Sequence, residues 1–158
     1  MKRRTFFVLT SVTVLFIWGH SLVPLTNSAE ESMSVMQVLQ AVLDFFQIPV
    51  TLTDIFVRKL AHFAEHGAAG LLLGLYIYPR VFAAQDIRTK LELGVLPLVI
   101  GFFIGFIDET IQVFSGRGAM IQDVWLDFAG VCCGAAAAFV IRLVIARRSG
   151  KAENVKSE

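Results

Sequence analysis

Side chains that could bind ions or transfer protons occur in three stretches of the chain, each next to a long apolar run. Many of them recur three or four residues apart, which places them on one face of a helix. Carboxylates and imidazoles arranged in this way can bind a divalent cation or share protons, and basic side chains among them can hold an anionic group. The candidate ligand-binding residues are Lys59, His62, Glu65, His66, Asp108, Glu109, Gln112, Arg117, Asp123 and Asp127.

Three of these residues, His62, Asp108 and Glu109, are candidates for a general acid or base. Asp108 and Glu109 are adjacent, so their side chains diverge by about 100° on a helix and only one is expected to point fully into a pocket. We expect that residue to be Asp108, because it continues the helical line of Gly101 and Gly105. The alternative is that the carboxylates only form buried salt bridges with nearby basic side chains.

His62, Glu65 and His66 have the HxxEH spacing of the inverted zinc-protease motif. Two histidines at i and i+4 can ligate one metal ion, but that motif also needs a separate carboxylate ligand and a water-filled cleft, and short strings recur by chance. Glu65 can instead pair with basic side chains at the same helix end. We therefore assign no metal. The candidate metal ligands are His62, His66 and Asp108.

The composition excludes several classes of protein. Of the 158 residues, 56% are apolar and 17% are charged, and the mean hydropathy is +0.68; a soluble domain has roughly 45–50% apolar and about 25% charged residues. The net charge of +1 provides no basic field for nucleic acid. Cys132 and Cys133 are adjacent and cannot build a disulfide framework. The sequence therefore indicates an integral membrane protein.

Four segments have about the 20 residues needed to cross the apolar core of a bilayer. The first could instead be a signal peptide, but Asn27 fits a cleavage site poorly, so we expect an uncleaved helix. The predicted fold class is an all-α membrane protein with four transmembrane helices and an amphipathic helix on the outer leaflet between the first and the second. The predicted spans are residues 5–25, 60–78, 93–114 and 124–146.

The connection between the first two spans has the pattern of an amphipathic helix. Ser28 and Glu31 have capping-box spacing, and apolar residues then recur at helical intervals over residues 35–46 until Pro49. Such a helix can lie on the outer leaflet or can simply cap the bundle. Thr53 is the expected N-cap of the following helix.

Basic residues resist translocation, and this sets the expected orientation. Placing both termini in the cytoplasm leaves only Arg58, Lys59 and Arg117 outside. The chain is then one membrane domain over residues 1–146, followed by a polar cytoplasmic tail over residues 147–158 that we expect to be disordered. The polar ends of the last three spans face outward.

Small residues extend the polar stripes along the same helix faces, which lets the backbones approach closely. We therefore expect an outward-opening polar pocket above a glycine-lined floor, with Arg117 at its rim. The stripes are His62, His66, Gly70 and Gly74 on the second span, Gly101, Gly105, Asp108 and Gln112 on the third, and Asp123, Asp127, Gly130 and Gly134 on the fourth.

The strings RKLAHFAEH, DETIQVFSGR and DVWLDFAGVCCG resemble the signature blocks of the VanZ-like family of bacterial membrane proteins, and the resemblance covers residues 58–134. Two positions depart from the family pattern: His66 stands where tyrosine is common, and Asp127 where asparagine is common. The resemblance implies a multi-pass protein of the bacterial cell membrane that acts in the envelope. Because both departures add an ionisable group, a teicoplanin-specific role does not follow from the resemblance by default. A contribution to resistance to glycopeptide or lipoglycopeptide antibiotics of the teicoplanin type is therefore a hypothesis. The matching residues are Lys59, His62, Phe63, Asp108, Glu109, Gln112, Phe114, Arg117, Asp123, Gly130 and Gly134.

Two functions from different classes fit these residues. In the first, the pocket binds an anionic lipid head group or a lipid-linked envelope precursor, with Lys59 and Arg117 on the phosphate. In the second, the same groups catalyse hydrolysis or transfer at a lipid phosphate or ester. Whether the chain is an enzyme stays open, as does a scaffold role for the polar network. No cofactor is assigned, although His62, Asp108, Asp123 and Asp127 could share a divalent cation.

Overall fold

The computed structural model of the chain describes residues 3–23, 25–118 and 120–155, and of residues 3, 25–31 and 149–155 it describes the backbone alone. Within these residues the chain is all-helical and contains no strand, which confirms the predicted all-α class. The helices are α1 (Arg3–Ser21), α2 (Leu25–Phe45), α3 (Asp54–Ala83), α4 (Ile87–Phe114) and α5 (Ile121–Val155).

Side-chain caps set the starts of two helices. Thr53 is the N-cap of α3, as predicted, and its hydroxyl accepts a hydrogen bond from the Phe56 amide at 3.3 Å. Asp86 caps α4 in the same way by accepting from the Thr89 amide at 2.8 Å, so α4 begins six residues before the predicted span. The hydrogen bonds from Thr89 lower the pKa of Asp86, as expected for a carboxylate that caps a helix.

Two predictions about helix ends are wrong. α2 begins at Leu25, so Ser28 lies inside the helix and is not its N-cap; capping-box spacing marks a helix start only where the preceding residues are not helical. α5 continues as a helix through Arg147 to Val155, where we expected a disordered tail. This part of the tail extends an existing helix, so it needs no new nucleation. Residues 156–158 lie outside the described chain.

Two helices in the described part of the chain are long and apolar enough to cross a membrane: α4, and residues Ile121–Arg148 of α5. Many of their large apolar side chains point outward, among them Phe103, Phe106 and Val140. An apolar surface of this kind is unfavourable in water but suits contact with lipid tails. The fold therefore fits a membrane protein, and the crossing by α1 and α3 stays a prediction.

α3 is the central element, because it contacts all four other helices and packs most extensively against α5. The predicted glycine stripes lie at these interfaces. A Cβ atom built on Gly70 would overlap the backbone of Val131, and one built on Gly101 would overlap the side chain of the same residue. The close approach of α3, α4 and α5 thus depends on the absence of side chains at these positions.

Apolar residues fill the bundle below the polar ends. One buried cluster joins α1, α3 and α4 through Ile17, Leu73 and Ile104. A second joins α3 and α5 through Tyr78 and Ala138. These contacts fix how the helices are rotated, and they therefore determine which polar side chains meet at the other end.

A half-buried arginine compensates for a proline inside α3. Pro79 has no N–H to donate to the carbonyl oxygen of Leu75, four residues earlier. Arg142 of α5 donates to this oxygen from Nη2 at 2.7 Å, and its guanidinium carbon lies 5.6 Å from the ring centroid of Phe6 on α1. Membrane helices tolerate proline when a neighbouring helix satisfies the freed carbonyl in this manner.

We expect Arg142→Met to lower the free energy of unfolding by about 1–3 kcal/mol, because the Leu75 carbonyl loses its donor. In a Pro79→Ala background the alanine amide supplies that donor, so Arg142→Met should lower the free energy of unfolding much less. Thermal unfolding of the four proteins in detergent measures this coupling. Arg88→Met is the control, since Arg88 forms an exposed pair with Glu92, and such pairs contribute little. An equal cost in both backgrounds would contradict the assignment.

Candidate functional site

The polar stripes of α3, α4 and α5 meet in one buried cluster at the end of the bundle. His62 Nδ1 lies 3.6 Å from Asp108 Oδ2 and 3.8 Å from Asp127 Oδ1. His66 Nδ1 lies 3.4 Å from the same Asp127 oxygen and 3.0 Å from the His62 carbonyl oxygen. The two imidazole rings are stacked with centroids 6.2 Å apart. His66, Asp108 and Asp127 have no solvent-exposed surface.

The helix positions explain why these side chains converge. His62 and His66 are one turn apart on α3, so both face the same neighbours. A Cβ built on Gly105 of α4 would lie 3.2 Å from Asp127 Cβ and 3.6 Å from His66 Cδ2. Gly105 therefore leaves the space that Asp127 and His66 occupy between α3 and α4.

Both adjacent carboxylates of α4 are buried, which corrects the expectation that only Asp108 would point inward. Glu109 is 5% exposed. Gln112, one turn further along α4, donates from Nε2 to Asp108 Oδ2 and to Glu109 Oε1, each at 3.1 Å. The amide group lies between the two side chains and joins them, although they leave the helix in different directions. Ser21 of α1 lies 3.5 Å from the same nitrogen.

An open cavity of about 170 Å³ lies beside the cluster, between the start of α3, the end of α4 and the start of α5. Lys59 and Asp123 form an ion pair across it at 2.6 Å. Apolar side chains share the same wall. The cavity is lined by Ile55, Arg58, Lys59, His62, Glu109, Gln112, Arg117, Gly118, Met120, Asp123 and Leu126.

Arg117 lies in the turn between α4 and α5, and it is only 6% exposed. Gly116 and Gly118 have φ values of 73° and 74°, the left-handed region that glycine adopts without strain. The Arg117 amide donates to Gln112 O at 3.0 Å, and Nη1 donates to His20 O at 2.9 Å. Burial and the nearby Arg58 guanidinium lower the pKa of Arg117. The carboxylates of Asp108, Glu109 and Glu65 act in the opposite direction on this pKa, because an opposite charge nearby favours the charged form.

Glu65 does not join the cluster of His62 and His66. Its Oε1 lies 3.6 Å from His20 Nδ1 on α1, beside a second cavity on the other side of His62. The carboxylate that could ligate one metal ion together with the two histidines is that of Asp127 on α5. The HxxEH string is therefore a consequence of helical spacing here, and the zinc-protease arrangement is not formed.

Two groups of side chains in the described part of the chain could hold a metal ion. They are His62, His66 and Asp127, and His62, Asp108, Glu109 and Asp127; the potential ligand atoms of each group all lie within 4.8 Å of one another. Asp123, which we considered as a cation ligand, belongs to neither group and pairs with Lys59 instead.

His62 is the member of the buried cluster that a molecule in either cavity can reach. Its side chain is 13% exposed and it lines both cavities. Of the other catalytic candidates, Glu109 also lines a cavity, whereas Asp108 is completely buried. Asp108 can therefore act on a molecule in the cavity only through a neighbour such as His62 or Gln112.

Sequence reasoning left three residues out of the site. Arg58 lines both cavities, and its place directly before Lys59 at the polar end of α3 was a signal that could have included it. His20 and Ser21 of α1 contact Glu65 and Gln112. They are the polar residues at the end of an otherwise apolar segment, and that end lies on the same side as the three polar stripes.

Comparison of the sequence with known proteins identifies its family. A family model described as VanZ/LLP1 matches residues 6–142, and so includes α1 as well as the three helices with polar ends. His66 and Asp127, the two positions at which the sequence departs from the pattern it resembles, are in contact with each other. A search of curated proteins and a search of solved structures each found no match. Because the family model covers most of the chain, the protein belongs to the VanZ/LLP1 family.

Proposed function

We propose that the chain is a multi-pass protein of the bacterial cell membrane, with α1, α3, α4 and α5 crossing the bilayer. In this arrangement both termini are cytoplasmic and the polar site faces outward. The two apolar helices α4 and α5 support it, as does the excess of basic residues in the segments assigned to the cytoplasm. A charged group deep in lipid is costly, so the buried polar cluster favours a site enclosed by the helices.

In this proposal α2 lies on the outer leaflet rather than capping the bundle. Its apolar residues face away from the other helices: Val38 is 65% exposed and Phe45 is 81% exposed. In the described part of the chain, the one helix that α2 contacts is α3. An apolar face with no protein partner, parallel to a polar one, is typical of helices that lie in a membrane interface.

We infer that the cavity beside the cluster binds an anionic lipid head group or a lipid-linked precursor of the cell envelope. The observation that carries this inference is that Arg58 and Arg117 line one cavity together with the apolar side chains of Ile55, Met120 and Leu126. Guanidinium groups hold phosphate through paired hydrogen bonds, and the apolar side chains suit the adjoining acyl chain. Arg58 replaces Lys59 in this role, because Lys59 is paired with Asp123.

A protein that holds such a lipid would change how envelope-directed antibiotics meet the membrane. The VanZ/LLP1 family membership and the outward-facing cavity support a contribution to resistance against glycopeptides and lipoglycopeptides of the teicoplanin type. That contribution requires lipid binding, so the binding experiment comes first.

Native mass spectrometry of the purified protein with added phosphatidylglycerol, and separately with phosphatidylcholine, tests the binding. We expect the wild-type protein to retain phosphatidylglycerol preferentially. Arg117→Gln and Arg58→Gln should each weaken this binding about tenfold or more, since a charge-assisted hydrogen bond contributes about 1.5–3 kcal/mol.

Arg88→Gln is the matched control, because Arg88 lies at the opposite end of α4 and is paired with Glu92. It should bind phosphatidylglycerol as the wild-type protein does. The proposal fails if the two lipids bind equally well, or if the Arg58 and Arg117 variants retain phosphatidylglycerol at the wild-type level.

A second candidate function is hydrolysis or group transfer at a lipid phosphate or ester. It is favoured by the place of His62, which reaches the cavity and lies 3.6 Å from a buried carboxylate oxygen of Asp108. A carboxylate behind an imidazole can orient it as a general base. His62→Ala would then abolish turnover of a bound lipid while leaving retention of phosphatidylglycerol intact.

A further inference from the structure

The buried cluster contains an unusual number of polar atoms without a hydrogen-bond partner. Among the described residues, these atoms include both carboxylate oxygens of Asp127, Asp108 Oδ1 and Glu109 Oε2. Asp108 and Asp127 have no exposed surface. A buried acceptor without a partner costs free energy, and natural proteins rarely retain several in one place without a role for them.

The charges of the cluster are also out of balance. Asp108, Glu109 and Asp127 contribute three carboxylates within a few ångströms of one another. Lys59 pairs with Asp123. Arg117 interacts electrostatically with Asp108 and Glu109, but its single positive charge cannot offset three negative ones. Carboxylates this close in a medium of low dielectric cannot all be ionised unless a cation lies among them.

The oxygen and nitrogen atoms are already close to the spacing of metal ligands. His62 Nδ1 lies 3.6 Å from Asp108 Oδ2 and 3.8 Å from Asp127 Oδ1, and one ligand atom from each of the four side chains fits within 4.8 Å. Two ligands that each lie about 2.0–2.2 Å from a single ion are separated by at most about 4.4 Å. Small rotations of these side chains therefore suffice to place all four around one ion.

We infer that His62, Asp108, Glu109 and Asp127 form a site for a divalent transition-metal ion at the floor of the cavity. One imidazole nitrogen with three carboxylate oxygens suits Zn²⁺ or Mn²⁺, since imidazole is a ligand that Mg²⁺ and Ca²⁺ seldom take. Gln112 hydrogen-bonds Asp108 and Glu109, and His66 contacts Asp127. Both hold the carboxylates in position, as residues around a metal site commonly do. This site rests on the cluster alone and does not require lipid binding.

The test uses the full-length protein in detergent, stripped with EDTA and then dialysed against Zn²⁺ or Mn²⁺. Elemental analysis should give one ion per chain, and Co²⁺ should produce visible absorption bands that Zn²⁺ abolishes. Asp127→Asn keeps the shape of the side chain but removes a charged ligand, and we expect it to weaken metal binding about tenfold or more. His62→Gln should have the same effect.

Asp86→Asn serves as the control, because it replaces the cap of α4 with another good capping residue outside the site. It should bind the metal as the wild-type protein does. The inference is overturned if the wild-type protein takes up no stoichiometric metal, or if Asp127→Asn and His62→Gln bind it unchanged. Since Arg58→Gln and Arg117→Gln leave all four ligands in place, loss of lipid binding and loss of metal binding are distinguishable.

Discussion

Gly134→Ala should greatly reduce the yield of folded protein, because the added methyl group has no room. A Cβ atom at this position would overlap the Gly67 carbonyl oxygen and lie 2.7 Å from the Leu71 amide nitrogen, both in the backbone of α3. A backbone cannot rotate away as a side chain can, so α3 and α5 would have to separate along their most extensive interface. Overpacking of a rigid site costs about 1–3 kcal/mol and sometimes more, and we expect the upper end here.

The measurement is the yield and thermal stability of monodisperse protein after extraction from membranes. Gly67→Ala is a matched control in the same interface, because its Cβ would meet Gly130 O at 3.5 Å, an ordinary contact. Gly94→Ala has no atom within 4 Å of the new methyl group. Both replace glycine in a helix, which favours folding by about 1 kcal/mol, so neither should lose yield. A Gly134→Ala protein as stable as these two would show that the helices pack less closely than described.

Much of this arrangement was predictable from the sequence, since helical spacing determines which side chains share a face. The stripe that contains Asp127 and Gly134 therefore indicated the α5 face that packs on α3. The residue type of Thr53, directly before Asp54, also identified it as a helix start. These are properties of a single helix, and they need no knowledge of how one helix is rotated against another.

Other features depend on contacts between residues far apart in the chain, and these were not predictable. Arg117 donates to the His20 carbonyl, 97 residues earlier, which brings the end of α1 into the site. Lys59 pairs with Asp123, 64 residues later, and whether this carboxylate lies beside Lys59 or beside Arg58 depends on how α5 packs on α3. Glu109 was expected to point away, because helix geometry alone does not show that Gln112 can join both carboxylates.

Asp127→Asn is expected to raise the thermal stability of the metal-free protein, although it removes a side chain central to the site. Neither Asp127 oxygen has a hydrogen-bond partner in the described structure, and the residue is fully buried. Removing a poorly satisfied buried charge should stabilise the fold by about 1–3 kcal/mol. Asparagine also adds a donor near the carboxylate of Asp108. Residues kept for a ligand often reduce stability in this way.

Thermal unfolding in EDTA, compared with unfolding in excess Zn²⁺, separates a binding site from a packing network. If the cluster is a metal site, the order of thermal stability should reverse between the two conditions. Asp127→Asn is more stable than the wild-type protein in EDTA. The wild-type protein becomes more stable in excess Zn²⁺, because the ion binds the folded state. If the polar cluster only holds the helices together, Asp127 serves as an ion-pair partner of His62 and His66. Removing it would then destabilise the protein in both conditions, since an unpaired partner would remain buried. Asp86→Asn, an exposed cap on α4, should follow the wild-type protein throughout.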